Sequence, residues 1–262
     1  MPIKIYSDKP GVGYIHIPKC GGTSLAYSLG IADRYPEIGI APTATVIDKQ
    51  QLFGGGLQHL TFREIEQKYG PTWDKAGLTF AILRHPLDRL ISHLFWKVSR
   101  FKDFEGTEED LHAMLEQIIV ETEKLSRSCA AFSNPFKGFA YSWFRDRSLK
   151  PSVSGAKRHL FPQTAFIFSN ARLGVQRCYA FEHLADLESD LRDLGFMDGP
   201  LSHRMKRTSH QDYSSRVPEA LKLRVKKLYA ADYQVYGAIQ KATSQADRGY
   251  AKASEIADLI AP

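Results

Sequence analysis

The stretch 13–24, Gly-Tyr-Ile-His-Ile-Pro-Lys-Cys-Gly-Gly-Thr-Ser, contains in order the patterns of a strand, a tight turn and a helix start. The apolar residues within 14–17 predict a short buried strand, which Pro18 ends because proline cannot donate to a sheet ladder. The glycine pair 21–22 allows a tight turn with no side chains in the way. Thr23 then opens a helix, so the stretch predicts a β–α unit of an α/β fold.

A strand, a glycine-rich turn and a helix start bring backbone N–H groups together at one spot, where they favour an anion. Lys19 adds a full positive charge, and the hydroxyls of Thr23 and Ser24 add donors. The turn is therefore a candidate site for a phosphate or sulfate group. The lysine precedes the glycines, whereas nucleoside triphosphate loops have it after the last glycine. An ordinary strand-to-helix turn with a surface lysine is the alternative.

A second strand–helix pair starts with the continuous apolar run 78–83, which is typical of a parallel strand buried on both faces. Arg84 follows the strand, Pro86 suits the first turn of the next helix, and Ser92 lies two turns further on. Arg84 and Ser92 are thus candidates to bind a phosphate in the crevice at the carboxyl ends of the strands. The alternative makes Arg84 an ion-paired or capping arginine and Ser92 a surface serine.

The two segments 18–24 and 84–92 together resemble the sulfotransferase family, and most closely the carbohydrate sulfotransferases that include heparan sulfate 2-O-sulfotransferase. The resemblance covers the first hundred residues well and continues in patches to about Tyr236. It implies a sulfuryl donor, 3′-phosphoadenosine 5′-phosphosulfate (PAPS), and the product adenosine 3′,5′-bisphosphate. The expected fold is α/β, a three-layer P-loop-like fold with a mainly parallel central sheet flanked by helices.

By this resemblance, the first segment holds the 5′-phosphosulfate, and the second segment holds the 3′-phosphate together with a late basic loop within 202–210. The positions that carry the family's donor-binding roles are Lys19, Cys20, Gly21, Gly22, Thr23, Ser24, Arg84, Ser92, Lys206, Arg207 and Thr208. The resemblance also gives Lys19 a catalytic role, which is to stabilise the leaving phosphate. A solvated loop is an equally good interpretation of the late basic segment.

Sulfuryl transfer to a hydroxyl requires a base, and histidine is the best-suited base near neutral pH. His59 is the candidate, because it follows the glycine run 54–56 at the place where the family has Gly-His-hydrophobe; Gln58 replaces the usual glycine. The alternative for His59 is a capping or core histidine. His16 is predicted to be structural, and the basic cluster 157–159 is a candidate to face an anionic acceptor.

The chain has 262 residues, 43% of them hydrophobic, and a net charge of +6, which fits a single domain over 1–262 and anionic ligands. No nucleic-acid-binding motif is present, and no apolar run approaches the roughly 20 residues that span a bilayer. Three scattered cysteines, Cys20, Cys129 and Cys178, predict neither a disulfide framework nor a metal site. We therefore expect a cytoplasmic protein without a metal.

The remaining pattern predicts helices, strands and one long irregular stretch, 126–163, whose aromatic and basic residues favour either an acceptor-binding lobe or a small satellite core. Predicted helices cover 61–69, with a capping box from Thr61 and Glu64, 108–124, 184–194 and 218–236. Predicted strands cover 44–47, 164–168 and 177–181, and 240–262 is expected to be a peripheral tail.

The sequence thus predicts a PAPS-dependent sulfotransferase that acts on a hydroxyl of an acceptor, expected to be a saccharide. Two alternatives belong to other classes. One is a kinase-like phosphotransferase using ATP and magnesium, against which stands the position of Lys19 before the glycines. The other is a non-catalytic module that binds a nucleotide or a sugar.

Overall fold

The structure is a computed structural model that describes residues 3–6, 10–29, 44–46, 59–99, 106–132, 155–201 and 209–260. The predicted late basic loop with Lys206, Arg207 and Thr208 lies outside the described residues, as does 133–154 of the predicted acceptor lobe. The strands are β1 Ile3–Tyr6, β2 Gly11–Ile15, β3 Ala44–Val46, β4 Ala76–Leu83, β5 Phe168–Ser169, β6 Arg172–Leu173, β7 Arg177–Ala180 and β8 Tyr250–Lys252. The helices are α1 Gly22–Ser28, α2 Phe62–Asp74, α3 Pro86–Val98, α4 Glu108–Ser126, α5 Gly155–Arg158, α6 Gln163–Ile167, α7 Leu184–Asp193, α8 Ser209–Arg216, α9 Glu219–Leu228, α10 Ala230–Ala246 and α11 Ala253–Ile260.

The central sheet has the strand order β3-β1-β2-β4-β7-β8. Its middle strands β2, β4 and β7 run parallel, with Ile15 opposite Ala81 and Leu83 opposite Ala180. The outer strands β1, β3 and β8 pair antiparallel. The predicted α/β fold is confirmed, and its parallel part is the centre of the sheet, where helical crossovers connect the strands.

Helices cover both faces of the sheet, as neighbouring residues of β2 show, because successive side chains of a strand point to opposite faces. On one face, the Tyr14 hydroxyl donates a hydrogen bond to the carbonyl oxygen of Gly22 in α1, at 2.8 Å. On the other face, Gly13 lies against Trp73 of α2, so closely that a Cβ would sit 2.6 Å from the indole. The three layers predicted from the sequence follow from these contacts.

The core is centred on β4, whose side chains Phe80, Ala81 and Leu83 are fully buried. Burying a side chain as large as Phe80 contributes about 1.5–3 kcal/mol, so β4 is the main apolar anchor of the sheet. A second apolar cluster lies between α3, α4 and α9, where Leu90, Leu115 and Val225 pack together. This second cluster fixes the direction of α3 as it leaves the sheet.

Several local predictions are confirmed. The capping box of α2 is present, with the Thr61 hydroxyl accepting from the Glu64 N–H and the Glu64 carboxylate accepting from the Thr61 N–H. Pro86 lies in the first turn of α3. Gly195, with a positive φ of 69°, follows the end of α7.

The predicted strand over 164–168 is wrong for most of its length, because Gln163–Ile167 forms the short helix α6. The Asp232 carboxylate accepts hydrogen bonds from the backbone N–H groups of Gln163 and Thr164, at 2.7 and 2.9 Å, and so satisfies the first donors of the helix. Only Phe168 and Ser169 are extended. The deciding partner is remote in sequence, and the local pattern of β-branched and aromatic residues does not contain it.

The C-terminal predictions also need correction. The helix expected over 218–236 is two helices, α9 and α10, separated at Tyr229, whose φ of −111° and ψ of 31° are not helical. The predicted peripheral tail is an integral part of the fold, because β8 extends the central sheet by pairing with β7. Ile256 of α11 is fully buried in the same core.

We expect Ile256→Ala to lower the free energy of unfolding by about 2–5 kcal/mol, because it leaves a cavity in the core. Leu223→Ala is the matched control: Leu223 also lies on a helix but is 60% exposed, so its loss should change stability by less than about 0.5 kcal/mol. Urea denaturation of both variants measures the difference. Equal stability of the two variants would show that the C-terminal segment is peripheral after all.

Candidate active site

The turn between β2 and α1 has an unusual backbone. Lys19 and Gly21 both have left-handed φ angles, 69° and 80°. This conformation is natural for glycine but costs about 1–2 kcal/mol for lysine. Such strain persists where the surrounding structure fixes it, which is often at a functional site. The turn therefore places a strained lysine at the carboxyl end of a central parallel strand, where α/β sheets bind ligands.

Gly22 allows the ring of His16 to lie against this turn. A Cβ at Gly22 would sit 2.3 Å from His16 Cδ2 and 2.5 Å from its Nε2. Gly21 is less constrained by packing, with the nearest atom to a Cβ being a ring carbon of Phe181 at 3.1 Å. The two glycines thus have different roles, a turn conformation at Gly21 and close approach of an imidazole at Gly22.

The side chain of Cys20 points away from any ligand of the turn. Its thiol is buried and donates a hydrogen bond to Gln163 Oε1 at 3.3 Å. Burial raises the pKa of this thiol to about 12. Cys20 is therefore available to an anion only through its backbone, whereas Thr23 and Ser24 in the first turn of α1 are partly exposed.

Arg84 follows β4, and since β2 and β4 are adjacent and parallel, its turn lies at the same edge of the sheet as the Lys19 turn. Its guanidinium carbon lies 4.5 Å from the centre of the Phe181 ring. Gly21 faces the same ring, so Phe181 borders both turns. Ser92, further along α3, is almost buried. The structure thus places the two predicted anion-binding turns side by side.

His59 is held in one tautomer by a backbone contact. Its Nδ1 lies 3.1 Å from the carbonyl oxygen of His16. Because a carbonyl oxygen can only accept a hydrogen bond, Nδ1 carries the proton and Nε2 has the lone pair. Burial lowers the pKa of His59 to about 4, with the charges of Arg158 and Lys19 acting in the same direction. At neutral pH the ring is therefore uncharged and able to accept a proton at Nε2.

Four histidines form a cluster, consisting of His16, His59, His93 and His159, which the sequence did not predict. The ring centres of His16 and His59 are 4.7 Å apart, those of His59 and His159 5.1 Å, and those of His93 and His159 5.5 Å. Burial lowers the pKa of His159 to about 2 and that of His16 well below its usual range. His16, His59 and His159 are thus uncharged at neutral pH, and His93 packs against the ring of His159.

Trp96 connects the histidine cluster to Lys19. The indole lies 4.7 Å from the ring of His159, and Lys19 Nζ lies 5.2 Å from the indole centre. Arg89, Ser92, His93 and Trp96 share one face of α3, since they are spaced three and four residues apart. This spacing of polar and aromatic residues is the signal that could have identified the face from the sequence.

The buried side chain of Arg158 binds the backbone of His59 and the carboxylate of Glu64. Its guanidinium forms two hydrogen bonds with the Glu64 carboxylate, at 2.7 and 2.9 Å, and donates to the His59 carbonyl oxygen at 2.9 Å. Glu64 also closes the capping box of α2. The prediction that Arg158 belongs to an acceptor-facing basic cluster is therefore wrong, because Glu64 neutralises its buried charge. The capping-box pattern located Glu64 but gave no indication of this second partner.

A family model of the sulfotransferase family matches residues 4–237, a range that includes both turns, the histidine cluster and Gln163. The chain belongs to the sulfotransferase family. Searches of curated proteins and of solved structures found no match. Among the described residues, no helix is long and apolar enough to cross a membrane, and no group of three or more His, Cys, Asp or Glu side chains is arranged to hold a metal ion.

We expect Gly22→Ala to reduce both stability and activity, because the new methyl group must displace His16 and with it the carbonyl that orients His59. The loss of stability should be about 1–3 kcal/mol. Gly70→Ala is the matched control, since a Cβ there meets nothing within 4 Å and alanine is the better helix former. Chemical denaturation and turnover are measured for both variants. A Gly22→Ala protein as active and stable as Gly70→Ala would show that the close approach has no function.

Proposed function

We propose that the chain transfers the sulfuryl group of PAPS to a hydroxyl of an acceptor, most consistently a saccharide. Membership of the sulfotransferase family supports sulfuryl transfer in general. The observation that carries the proposal is the tautomer of His59. The His16 carbonyl oxygen holds the proton on Nδ1, which leaves Nε2 with a lone pair, and Trp96 connects the histidine cluster to Lys19. These are the parts that in-line transfer to a hydroxyl requires.

The donor-binding residues follow the two turns. In the proposal, Lys19, the backbone of Cys20, Gly21 and Gly22, and the hydroxyls of Thr23 and Ser24 hold the 5′-phosphosulfate. Arg84 and Ser92 hold the 3′-phosphate, and Lys206, Arg207 and Thr208 add to that site. The left-handed Lys19 and Gly21 fit this role, because such turns direct consecutive N–H groups to one side. A net charge of +6 fits a polyanionic donor.

The donor supplies an activated sulfuryl group. The acceptor hydroxyl oxygen forms a new bond to sulfur, and the bond between sulfur and the 5′-phosphate oxygen breaks. The hydroxyl proton moves to His59 Nε2, so the products are a sulfate ester and adenosine 3′,5′-bisphosphate. At neutral pH the His59 ring is uncharged and can accept this proton at Nε2. Its pKa of about 4 in the free protein makes it a weak base, and the negative charge of the bound donor would raise that pKa.

Lys19 stabilises the negative charge that develops on the leaving phosphate oxygen. Its charge is one of the causes of the lowered pKa of both His59 and His159, so it acts electrostatically on the base and its neighbours. The indole of Trp96 borders the ammonium group. Lys19 and His59 thus interact electrostatically, which supports their proposed roles in donor activation and proton removal.

The saccharide acceptor rests on the resemblance to carbohydrate sulfotransferases. Trp96 and His159 give the described site an aromatic border beside Lys19, and aromatic faces suit the apolar faces of sugar rings. The acceptor-binding role of the segment 126–163 and the cytoplasmic location remain predictions.

The first test is calorimetric binding of adenosine 3′,5′-bisphosphate, compared with ATP and magnesium. We expect the wild type to prefer the bisphosphate and Arg84→Ala to weaken its binding about 10- to 100-fold, since a charge-assisted contact is lost. Arg172→Ala is the matched control, because Arg172 also lies over a phenylalanine ring, at 4.9 Å from the centre of Phe62, but away from both turns. Preference for ATP with magnesium would favour a phosphotransferase.

The second test concerns the base. Asparagine at position 59 keeps an N–H donor for the His16 carbonyl but has no Nε2, so His59→Asn should lower turnover about 10²- to 10⁴-fold with little change in bisphosphate affinity. His112→Asn, on α4, is the control and should keep wild-type turnover. In NMR titrations of the free protein, the His59 imidazole should titrate near pH 4 and not near 6.5. Retained turnover in His59→Asn would exclude His59 as the base.

A further inference from the structure

The side chain of Gln163 connects the two anion-binding turns directly. Its Oε1 accepts hydrogen bonds from the backbone N–H of Arg84, at 2.9 Å, and from the thiol of Cys20, at 3.3 Å. Its Nε2 donates to the carbonyl oxygen of Arg84, at 2.8 Å. One amide group therefore binds both backbone polar groups of the residue after β4 and also holds the turn after β2.

The backbone at Gln163 is held by the carboxylate of Asp232. Its side chain is fully buried, and its backbone N–H donates to Asp232 Oδ2 at 2.7 Å. Thr164 donates to the other oxygen of the same carboxylate through its N–H and its hydroxyl, both at 2.9 Å. The amide thus projects from a backbone that Asp232 of α10 holds through three hydrogen bonds.

We propose that Gln163 is a positioning residue that sets the spacing between the Lys19 turn and the Arg84 turn, and thereby allows one donor molecule to engage both turns at once. The inference rests on the proposed function, in which the 5′-group binds the first turn and the 3′-phosphate the second. A ligand with two anionic groups gains from the second contact only if the sites are spaced to match, because the second contact is then intramolecular.

The test is the affinity ratio of adenosine 3′,5′-bisphosphate to adenosine 5′-monophosphate, measured by calorimetry. The monophosphate engages one turn and the bisphosphate both, so the ratio reports their coupling. We expect Gln163→Leu to lower the ratio about tenfold while monophosphate affinity changes less than threefold. Gln163→Glu keeps the acceptor oxygen but cannot donate to the Arg84 carbonyl, so it should lower the ratio in the same direction.

Gln176→Leu is the matched control. The Gln176 side chain also accepts from a backbone N–H, that of Thr79 at 3.2 Å, but at the point where β7 begins and away from the turns. The affinity ratio of bisphosphate to monophosphate in Gln176→Leu should equal that of the wild type. If Gln163→Leu does not fold, as judged by circular dichroism, Gln163→Glu decides the question.

The possible failures are distinguishable. A wild-type ratio near one would overturn the assignment of the donor to the two turns, and this inference with it. A high wild-type ratio that persists in folded Gln163 variants would overturn the positioning role alone. A fall in both affinities with an unchanged ratio would indicate a general structural role and would also overturn it.

Discussion

The carboxylate of Asp232 holds the segment on which both halves of the candidate site depend. Its two oxygens accept three hydrogen bonds, from the N–H groups of Gln163 and Thr164 and from the Thr164 hydroxyl. These bonds begin α6 at Gln163 and aim the glutamine amide at the turns after β2 and β4. The pairing of β2 with β4 ends at Ile15 and Ala81, before either turn begins, so strand pairing alone does not set the spacing of the turns.

Holding a segment with a buried charge is costly unless every donor and acceptor is matched. Burial raises the pKa of Asp232, while Arg89 and the hydrogen bonds oppose that rise. Arg89 is buried as well and donates to the carbonyl oxygens of His159 and Phe161, at 3.2 and 2.7 Å. Opposite charges from α10 and α3 thus hold the segment 159–164 at its N–H groups and at its carbonyl groups. This arrangement ties α3, which carries Ser92 and Trp96, to the helix that carries Gln163.

The sequence predicted the parts of the fold that local patterns determine. The apolar run of β4, Pro86 in the first turn of α3 and the Thr61–Glu64 capping box depend on neighbours within a few residues, and all three are present. The sequence could not predict α6, because its first N–H groups are satisfied by Asp232, 68 and 69 residues away. The same holds for Arg158, whose partner Glu64 is 94 residues distant. The two turns were predicted individually; Gln163, which joins them, has no local pattern.

The burial that keeps His59 uncharged also links the candidate site to stability. His16, His59 and His159 are kept uncharged because a charge in the cluster would lose its hydration and face Lys19. In the unfolded chain each has an ordinary pKa near 6.5, so below that pH the unfolded state binds more protons than the folded state. Above about pH 6.5 the three histidines are uncharged in both states, so their titration does not lower the free energy of unfolding. Below that pH the free energy of unfolding declines by about 1.4 kcal/mol per pH unit for each histidine until its folded pKa is reached, near 4 for His59 and near 2 for His159. The packing that keeps these histidines neutral thus also makes the folded state sensitive to acid, and this sensitivity lies in the candidate site.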